Sequence, residues 1–400
     1  MLIIDNNFRD VEKETFEVVE RKCQGHPDSL ADSLATICSA EYSKYCLKNF
    51  GCILHHNFDK LYIGGGSFEY KNGVVKTKHK IQIVINGRMS TSFGGQKIDL
   101  KSIVEDKLKE FLESVMPKIN FKKDVNVIYN ANNFSQRKNW YTPVSKEDVP
   151  DASLVVAGDT SACVVHTGKT TCELLARELE RVFFSYPSKN IVKPIYDDIG
   201  QDIKIMVTRN KKDIDVTICL PVFATAYKNH EEYVNIIHKY EKLVDEKIKE
   251  LTINSQYHYT LNINRLEDGS YRTYKTLKGS CIDCGEEGVV GRGNNSRGLI
   301  SAIREHTMEA PFGKNERYHT GRVLDFLLRR LGDKILNEEN CKSSIVCVAR
   351  NQNPLFEPYI FNINLEKNVE RNKIEGYVKE IFNEKYLMDN ILDDIITISN

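Results

Sequence analysis

Apolar residues recur at spacings of three and four in several stretches of the chain, and this spacing predicts amphipathic helices. The clearest helix is expected from Leu100 to Ile119, because its apolar residues fall on a single stripe. That stripe consists of Ile103, Val104, Leu108, Phe111, Leu112 and Val115. Three further helices are predicted from Asp28 to Phe50, from Glu231 to Leu251 and from Gly321 to Leu336.

Alternation of apolar and polar residues predicts strands in six shorter stretches. They run from Ile81 to Ile85, Ile203 to Thr208, Ile214 to Leu220, Tyr259 to Ile263, Ile345 to Ala349 and Ile360 to Leu365. In IKIMVTRNKKDIDVTICL two of them are separated by a short polar turn, which predicts an antiparallel hairpin. Local hairpins between isolated helices favour an α+β fold over a doubly wound parallel sheet.

One long segment follows neither period. Residues 130–151, NANNFSQRKNWYTPVSKEDVPD, are polar and punctuated by proline, and they contain Trp140, the only tryptophan; we call this segment the Trp140 loop. Two interpretations fit this loop equally well: an insertion that its aromatic residues anchor to the rest of the protein, and a segment that covers the substrate.

With 400 residues the chain is long enough for several hydrophobic cores. We expect an N-terminal region at 1–150, a central region at 151–290 and a C-terminal region at 291–400, with interleaved segments.

Composition narrows the class of protein. Fifty-six basic residues balance fifty-six acidic ones, so no overall field draws the chain to nucleic acid or to an anionic membrane. No signal-peptide pattern or membrane-length apolar stretch occurs, and we therefore expect a soluble, cytoplasmic protein that binds neither nucleic acid nor a membrane.

The eleven cysteines show no regular spacing, which indicates reduced thiols. Cys281 and Cys284 form a C-x-x-C pair without a second pair, so packed thiols are expected there rather than zinc.

The stretch RKCQGHPDSLADS, residues 21–33, has a structural interpretation and a chemical one. Asp28 and Ser29 are natural caps for the helix that follows. A helix N-terminus also attracts anions, and His26 and Asp28 would offer a donor and a metal-binding carboxylate beside it. That combination suits a phosphate accompanied by magnesium.

Two further polar clusters carry weaker signals. In LHHNFDKLYIGGG, His55 and His56 should point to opposite faces of a strand, so one of them is expected to be packed, whereas Asp59 stands near three glycines. In VVAGDTSACVVHTG an apolar run ends at Asp159, Thr160 and Ser161. A tight turn and a contact to metal or sugar are equally consistent with that ending.

Basic residues and glycines cluster towards the C-terminus. GSCIDCGEEGVVGRGNNSRGLI carries six glycines with Arg292 and Arg297, but it has neither Walker nor dinucleotide spacing. Close approach of the backbone to an anion, with arginine as a planar fork, fits this stretch better than a purely structural role. MEAPFGKNERYHTGR then adds Lys314 and His319 ahead of an apolar helix. The residues alone therefore predict a soluble enzyme that holds a polyphosphate with magnesium and basic side chains.

These stretches, in this order, resemble the methionine adenosyltransferase (S-adenosylmethionine synthetase) family, specifically its archaeal-type branch. ERKCQGHPDSLAD resembles E-R-K-x-x-G-H-P-D-S-x-A-D, LHHNFDK resembles H-H-N-x-D, AGDTS resembles N-D-T-S, and GQDIKIM resembles G-E-D-x-K-V-M. GVVGRGNNSRGLI and MEAPFGKN resemble G-x-V-G-R-G-N-x-x-x-G-L-I and M-E-A-x-x-G-K-N. The similarity runs from about Val18 to the C-terminal region.

The resemblance implies a reaction in which methionine sulfur attacks C5′ of ATP and expels triphosphate, which is then cleaved to pyrophosphate and phosphate. It implies the cofactors Mg²⁺ and K⁺, three similar α+β subdomains in a pseudo-threefold arrangement, and a homodimer with active sites at the subunit interface. By this resemblance His26 would face the triphosphate, Asp28 would bind Mg²⁺ and Lys204 would be a catalytic lysine. The other residues implied in the site are Arg292 and Lys314 for triphosphate, Asp159 near the nucleoside, Glu286 near methionine, and His55, Asp59, Thr160, Ser161, Asp202 and His319 in the ATP and methionine pocket.

The chain departs from the branch at three places: Asn130–Asn133 stands for a G-x-G-S stretch, Val165–His166 for a glycine-tyrosine pair, and Glu286–Glu287 for paired aspartates. Two alternatives to the family reaction therefore stay open. One is a divergent paralogue with altered specificity for the methionine analogue or the nucleotide, and the other is a non-catalytic ATP-binding regulatory subunit.

Overall fold

The computed structural model describes residues 1–149, 155–188 and 191–394, and within them the chain is an α+β fold built on three main sheets. The α+β class expected from the sequence is confirmed. The last two residues of the Trp140 loop lie outside the described residues. The α-helices are α1 (Pro27–Phe50), α2 (Leu100–Val115), α3 (Phe121–Asp124), α4 (Thr171–Glu180), α5 (His230–Thr252), α6 (Thr320–Glu339), α7 (Arg371–Ile381) and α8 (Glu384–Asn390).

The first sheet joins the two ends of the chain. Its strand order is β1 (Leu2–Asp5), β22 (Ile360–Leu365), β21 (Ser343–Ala349) and β11 (Ser161–His166), with strands numbered along the sequence. β1 pairs parallel with β22, and the other neighbours are antiparallel. Helix α6 packs on β11 and β21, and α7 packs on α6.

The second sheet packs against α1, which in turn packs against α2. Its order is β10 (Val125–Asn132), β7 (Ile81–Met89), β4 (Tyr62–Gly64) and β19 (Gly288–Val289), and β3 (His56–Asn57) also pairs with β7. The third sheet has the order β17 (His258–Ile263), β15 (Asp213–Cys219), β14 (Lys204–Asn210), β2 (Phe16–Lys22) and β20 (Ile300–Ser301), with α4 and α5 packed on it. Each sheet draws strands from at least two of the three predicted regions, whose limits stay a prediction.

Short ribbons complete the described strands. They are β5 (Ser67–Lys71) with β6 (Val74–His79), β8 (Ser92–Phe93) with β9 (Gln96–Lys97), β12 (Phe184–Ser188) with β13 (Ile191–Pro194), and β16 (Val222–Phe223) with β18 (Lys275–Thr276). Two apolar cores result, one shared by the second and third sheets and one between the first sheet and α6 to α8.

The predicted helices and strands are all present. β14 and β15 form the expected antiparallel hairpin. Helix α2 ends at Val115, four residues before the predicted end, because Pro117 disfavours helical backbone at the residue preceding it. In the described ranges no helix combines the length and the apolar character needed to span a membrane.

The cap of α1 was predicted wrongly. Asp28 and Ser29 lie inside the helix, whereas His26 occupies the N-cap position and Pro27 the first helical position. The His26 imidazole accepts a hydrogen bond from the Asp28 backbone N–H through Nδ1, at 3.2 Å. Proline suits the first turn, because the N–H that it lacks would have no partner within the helix. With Pro27 as the first helical residue, the N-cap is His26, two residues before the predicted Asp28.

Candidate active site

A cavity of about 660 Å³, the first cavity, lies where the N-terminus of α1 meets the start of β14 and the glycine-rich segment. It brings together predicted site residues that are distant in sequence: His26, Asp28, Asp202, Lys204, Glu286 and Arg292. The imidazole of residue 26 and the ammonium of residue 204 therefore share one cavity. β14 pairs directly with β2, the strand that leads into α1, and this pairing fixes their proximity.

His26 is held as a neutral donor. Its Nδ1 accepts the Asp28 N–H, so the ring proton resides on Nε2. Burial lowers the pKa of His26, which further favours the neutral ring. The side chain keeps 19% of its surface exposed. His26 can therefore offer an Nε2–H to an anion in the first cavity.

Asp28 is fixed by two donors. Its Oδ1 accepts the Val289 backbone N–H at 3.0 Å, and its Oδ2 accepts Lys22 Nζ at 3.0 Å. Lys22 Nζ also donates to the Arg292 carbonyl at 2.7 Å. Lys22 thus ties the N-terminus of α1 to the glycine-rich segment. It is a positioning residue that the sequence prediction missed, although it lies in the same short motif.

Lys204 and Asp202 stand at the start of β14 with separate partners. Lys204 Nζ pairs with Glu20 Oε2 at 2.8 Å and remains 39% exposed. The buried Asp202 carboxylate accepts the Tyr274 hydroxyl at 3.0 Å, and from Cys281 it accepts the backbone N–H at 3.0 Å and the thiol at 2.6 Å. Tyr274 and Cys281 were not predicted, because nothing local in the sequence connects them with Asp202.

The packed state expected for both thiols of the C-x-x-C pair is wrong for one of them. Cys281 is partly buried against Asp202, whereas Cys284 is exposed. In the described ranges no group of three or more His, Cys, Asp or Glu side chains is placed to hold a metal ion.

The glycine-rich segment has a structural role that the sequence prediction underestimated. A Cβ on Gly288 would stand 2.2 Å from the Pro27 carbonyl oxygen, and one on Gly293 would stand 2.1 Å from an Asp32 carboxylate oxygen. The Gly291 N–H also donates to Asp32 at 2.7 Å. Two of the glycines therefore allow the segment to lie directly on α1. This packing presents the exposed Arg292 side chain to the first cavity.

A second cavity, of about 620 Å³, gathers four further predicted residues around the N-terminus of α6. His55, Asp59, Asp159 and His319 line it. His319 caps α6 by accepting the Gly321 N–H through Nδ1 at 3.2 Å, as His26 caps α1. Burial is the main cause that lowers the pKa of His319 to about 4 and that of His55 to about 3, so both rings are neutral.

Lys314, Thr160 and Ser161 lie outside both linings among the described residues. Lys314 is buried and forms an ion pair with Glu309, a residue that lines the second cavity. The Thr160 hydroxyl accepts the Asn351 N–H at 2.9 Å. Ser161 is buried at the start of β11. The structure therefore places six predicted residues in the first cavity, four in the second and three outside both linings.

The Trp140 loop borders the second cavity. The indole of Trp140 stacks on the His55 ring with centroids 4.0 Å apart, and the Arg137 guanidinium lies 4.4 Å from the indole. His56, on the opposite side of the chain, is buried against Ser39 at 2.8 Å, as expected for one of the two histidines. Arg88 and Tyr318 also line the second cavity and were not predicted.

Comparisons with known proteins identify the family to which this chain belongs. The family model described as S-adenosylmethionine synthetase (AdoMet synthetase) matches residues 1–398. An uncharacterized protein of Streptococcus pyogenes serotype M3 is 33% identical over 396 residues, which cover 98% of this chain and 96% of the relative. The S-adenosylmethionine synthase of Pyrobaculum aerophilum is 30% identical over 382 residues, covering 92% of each chain, and that of Thermoplasma volcanium is 29% identical over 378 residues, covering 93% and 91%. An unusual S-adenosylmethionine synthetase from Campylobacter jejuni shares the fold with a TM-score of 0.56 at 14% identity, covering 97% of this chain and 95% of that one.

Proposed function

Because this chain belongs to the S-adenosylmethionine synthetase family, we propose that it makes S-adenosylmethionine from ATP and L-methionine and releases triphosphate, which it cleaves to pyrophosphate and phosphate. One observation carries the proposal. The first cavity joins the neutral imidazole of His26, the Lys204 ammonium and the Arg292 guanidinium at a helix N-terminus, and all of these groups favour an anion.

The charge on the leaving group is the chemical problem that these residues would solve. A thioether sulfur has no proton to lose, so its attack on C5′ requires no general base. The departing triphosphate gains negative charge, and fixed donors that meet this charge lower the barrier. In the proposed arrangement His26 donates its Nε2–H to the triphosphate, while Lys204 and Arg292 neutralise it. Loss of one such contact should slow transfer by on the order of 10²-fold or more.

The donors in the first cavity are compatible with Mg²⁺. Asp28 and Glu286 line it with carboxylate oxygens, which are the ligands that Mg²⁺ prefers. Mg²⁺ typically takes only one or two protein carboxylates and completes its shell with water and substrate phosphates. We therefore assign Asp28 as the residue that would hold it. When bound, Mg²⁺ would neutralise charge on the phosphate oxygens. The expected requirement for K⁺ stays a prediction, to be tested by omitting K⁺ from the assay.

We further propose that the active site is completed across a homodimer. Ten of the thirteen predicted residues lie in two cavities of one chain, and a complete site would form where the first cavity of one protomer meets the second cavity of its partner. Apolar side chains exposed near these cavities support such an interface. Leu266, which lines the first cavity, is 46% exposed, and Phe134 in the Trp140 loop is 76% exposed.

Complementation between inactive variants tests both proposals. His26→Ala places a lesion in the first cavity, and Lys314→Met removes the ion-pair partner of Glu309, which lines the second cavity. Each variant alone should lose about 10²-fold or more in rate. Co-expressed with different tags, they should form heterodimers in which one site is intact, so a random mixture recovers about one quarter of wild-type turnover per chain. Co-expressed His26→Ala and Lys204→Ala are the matched control, because both lesions lie in the same half and no site is intact.

The outcomes separate the two claims. If the wild-type enzyme is active but the co-expressed His26→Ala and Lys314→Met variants recover no activity, the shared site is wrong and the proposed reaction stands. If wild-type protein with ATP, methionine, Mg²⁺ and K⁺ yields neither the sulfonium product nor phosphate, the reaction is wrong and the regulatory alternative gains support. Rates with ethionine, selenomethionine and other nucleotides then test the divergent-paralogue alternative, and a clear preference for methionine and ATP removes it.

A further inference from the structure

A third cavity, of about 400 Å³, lies beside α4 and is lined mainly by residues 291–312. Its lining is strongly positive. Five cationic side chains face it, against two carboxylates. The cations are Lys169, Arg177, Arg292, Arg297 and Arg304, and the carboxylates are Glu173 and Glu305. Arg292 also lines the first cavity, so the two cavities share one side chain.

The carboxylates near the third cavity already have partners. Glu173 forms a two-pronged ion pair with Arg304, at 2.5 and 2.9 Å. Glu305 lies 3.2 Å from His166 Nε2. Arg297 is paired with Asp333 at 3.0 Å. Glu173 is therefore already paired with a cation, whereas Glu305 is an exposed carboxylate beside a His166 ring whose pKa burial lowers.

Among the described residues, three of the lining cations form no ion pair with a carboxylate: Lys169, Arg177 and Arg292. Lys169 stands just before α4 and Arg177 within that helix, and both line the third cavity. Desolvation at the cavity and the neighbouring arginines lower the pKa of Lys169 to about 8 and that of Arg177 to about 10. Lys169 is nevertheless exposed, whereas Arg177 is half-buried. The lining therefore concentrates positive charge around one concave site, with Arg177 as its less solvated cation.

We propose that the third cavity is a binding site for a phosphate-class oxyanion, held between Lys169 and Arg177 and distinct from the site around His26. An anion with several charges offsets the repulsion between these two cations, and the arginine fork matches a tetrahedral oxyanion. The volume has room for pyrophosphate as well as phosphate. Because Arg292 borders both cavities, an occupant here competes for a residue of the first cavity. The binding itself does not depend on the proposed reaction.

Calorimetric titration of the nucleotide-free protein with inorganic phosphate, pyrophosphate and triphosphate tests this site, with chloride as the non-competing ion. Lys169→Gln and Arg177→Gln should each weaken one binding event roughly tenfold or more, since each loses a charge-assisted contact. Lys204→Gln should leave that event intact, because Lys204 lines only the first cavity. Lys76→Gln, on the exposed ribbon of β5 and β6, is the matched control for loss of a positive charge.

Thermal unfolding supplies a second readout. In dilute buffer free of phosphate, Arg177→Gln should raise Tm more than Lys169→Gln does, because Arg177 is half-buried whereas Lys169 is exposed and its charge is screened by water. Added pyrophosphate should raise Tm in wild type and much less in these variants. The proposal is overturned if both variants bind all three anions as wild type does, or if Lys204→Gln alone abolishes every binding event. A preference among the three anions identifies which of them the site accepts.

Discussion

Gly25→Ala should disable the first cavity without unfolding the protein. Gly25 precedes His26, and its N–H donates to the Gln201 carbonyl at 3.2 Å, one residue before Asp202. A Cβ at position 25 would lie 2.4 Å from the Gln201 carbonyl carbon and 2.4 Å from its Cβ, whereas ordinary contacts begin near 3.4 Å. The two segments must therefore separate by about 1 Å, because backbone cannot turn aside as a flexible side chain can.

That separation acts on the two groups whose proximity the proposed reaction needs. His26 and Lys204 are placed by the segments that would move apart, and displacement of a reacting contact by about 1 Å costs on the order of 10²-fold in rate. We expect kcat for S-adenosylmethionine formation to fall by about that factor. Cys23 and Ile203, which flank this contact, belong to an apolar core, so the clash should also lower stability, and cooperative unfolding is the check that the variant is folded.

The assay measures kcat and KM for methionine and ATP, with unfolding followed by circular dichroism. Gly376→Ala is the matched control. No atom lies within 4 Å of a Cβ placed at position 376, which is in α7, so activity should be unchanged and stability should rise by roughly 0.5–1 kcal/mol. A Gly25→Ala enzyme with wild-type kcat would show that the spacing of the two segments does not control the reaction.

Two further outcomes follow from contacts outside the first cavity. Asp394→Ala should lower the free energy of unfolding by about 3–5 kcal/mol, because it strands the buried Arg322 and Arg329 that contact Asp394 at 2.8 and 2.5 Å. These arginines hold the pKa of Asp394 below its usual value. The stabilisation from the ionised carboxylate is therefore complete above about pH 4 and is lost as pH falls further. Urea unfolding that shows the same loss of stability in acid for Asp394→Asn and wild type would contradict this. His55→Ala should shift Trp140 emission to the red, because the stacked ring is lost, whereas His230→Ala, beside Tyr233, should leave the spectrum unchanged.

Local pattern predicted four helices and six strands of this fold, but not the helices α4 and α7 or the strands β2 and β11. The predicted elements follow from the periodicity of apolar residues, and the β14–β15 hairpin follows from two strands that are adjacent in sequence. His26 and Asp28 could be predicted as partners because they stand two residues apart at one helix end. The sequence did not predict that His26 caps that helix, since the cap depends on where the backbone turns ahead of Pro27.

The grouping of site residues was decided by tertiary structure. Asp202 receives its donors from Tyr274 and Cys281, more than seventy residues away, because the β16–β18 pairing and the turn after it bring that segment back to the start of β14. Lys314 does not line the cavity that holds His26 and pairs instead with Glu309, which lines the second cavity. The sequence by itself determined which residues carry charge and which elements hold them, because periodicity and capping act over a few residues. Only strand order and packing decided which of those charges meet, because contacts between remote segments depend on the shape of the whole core.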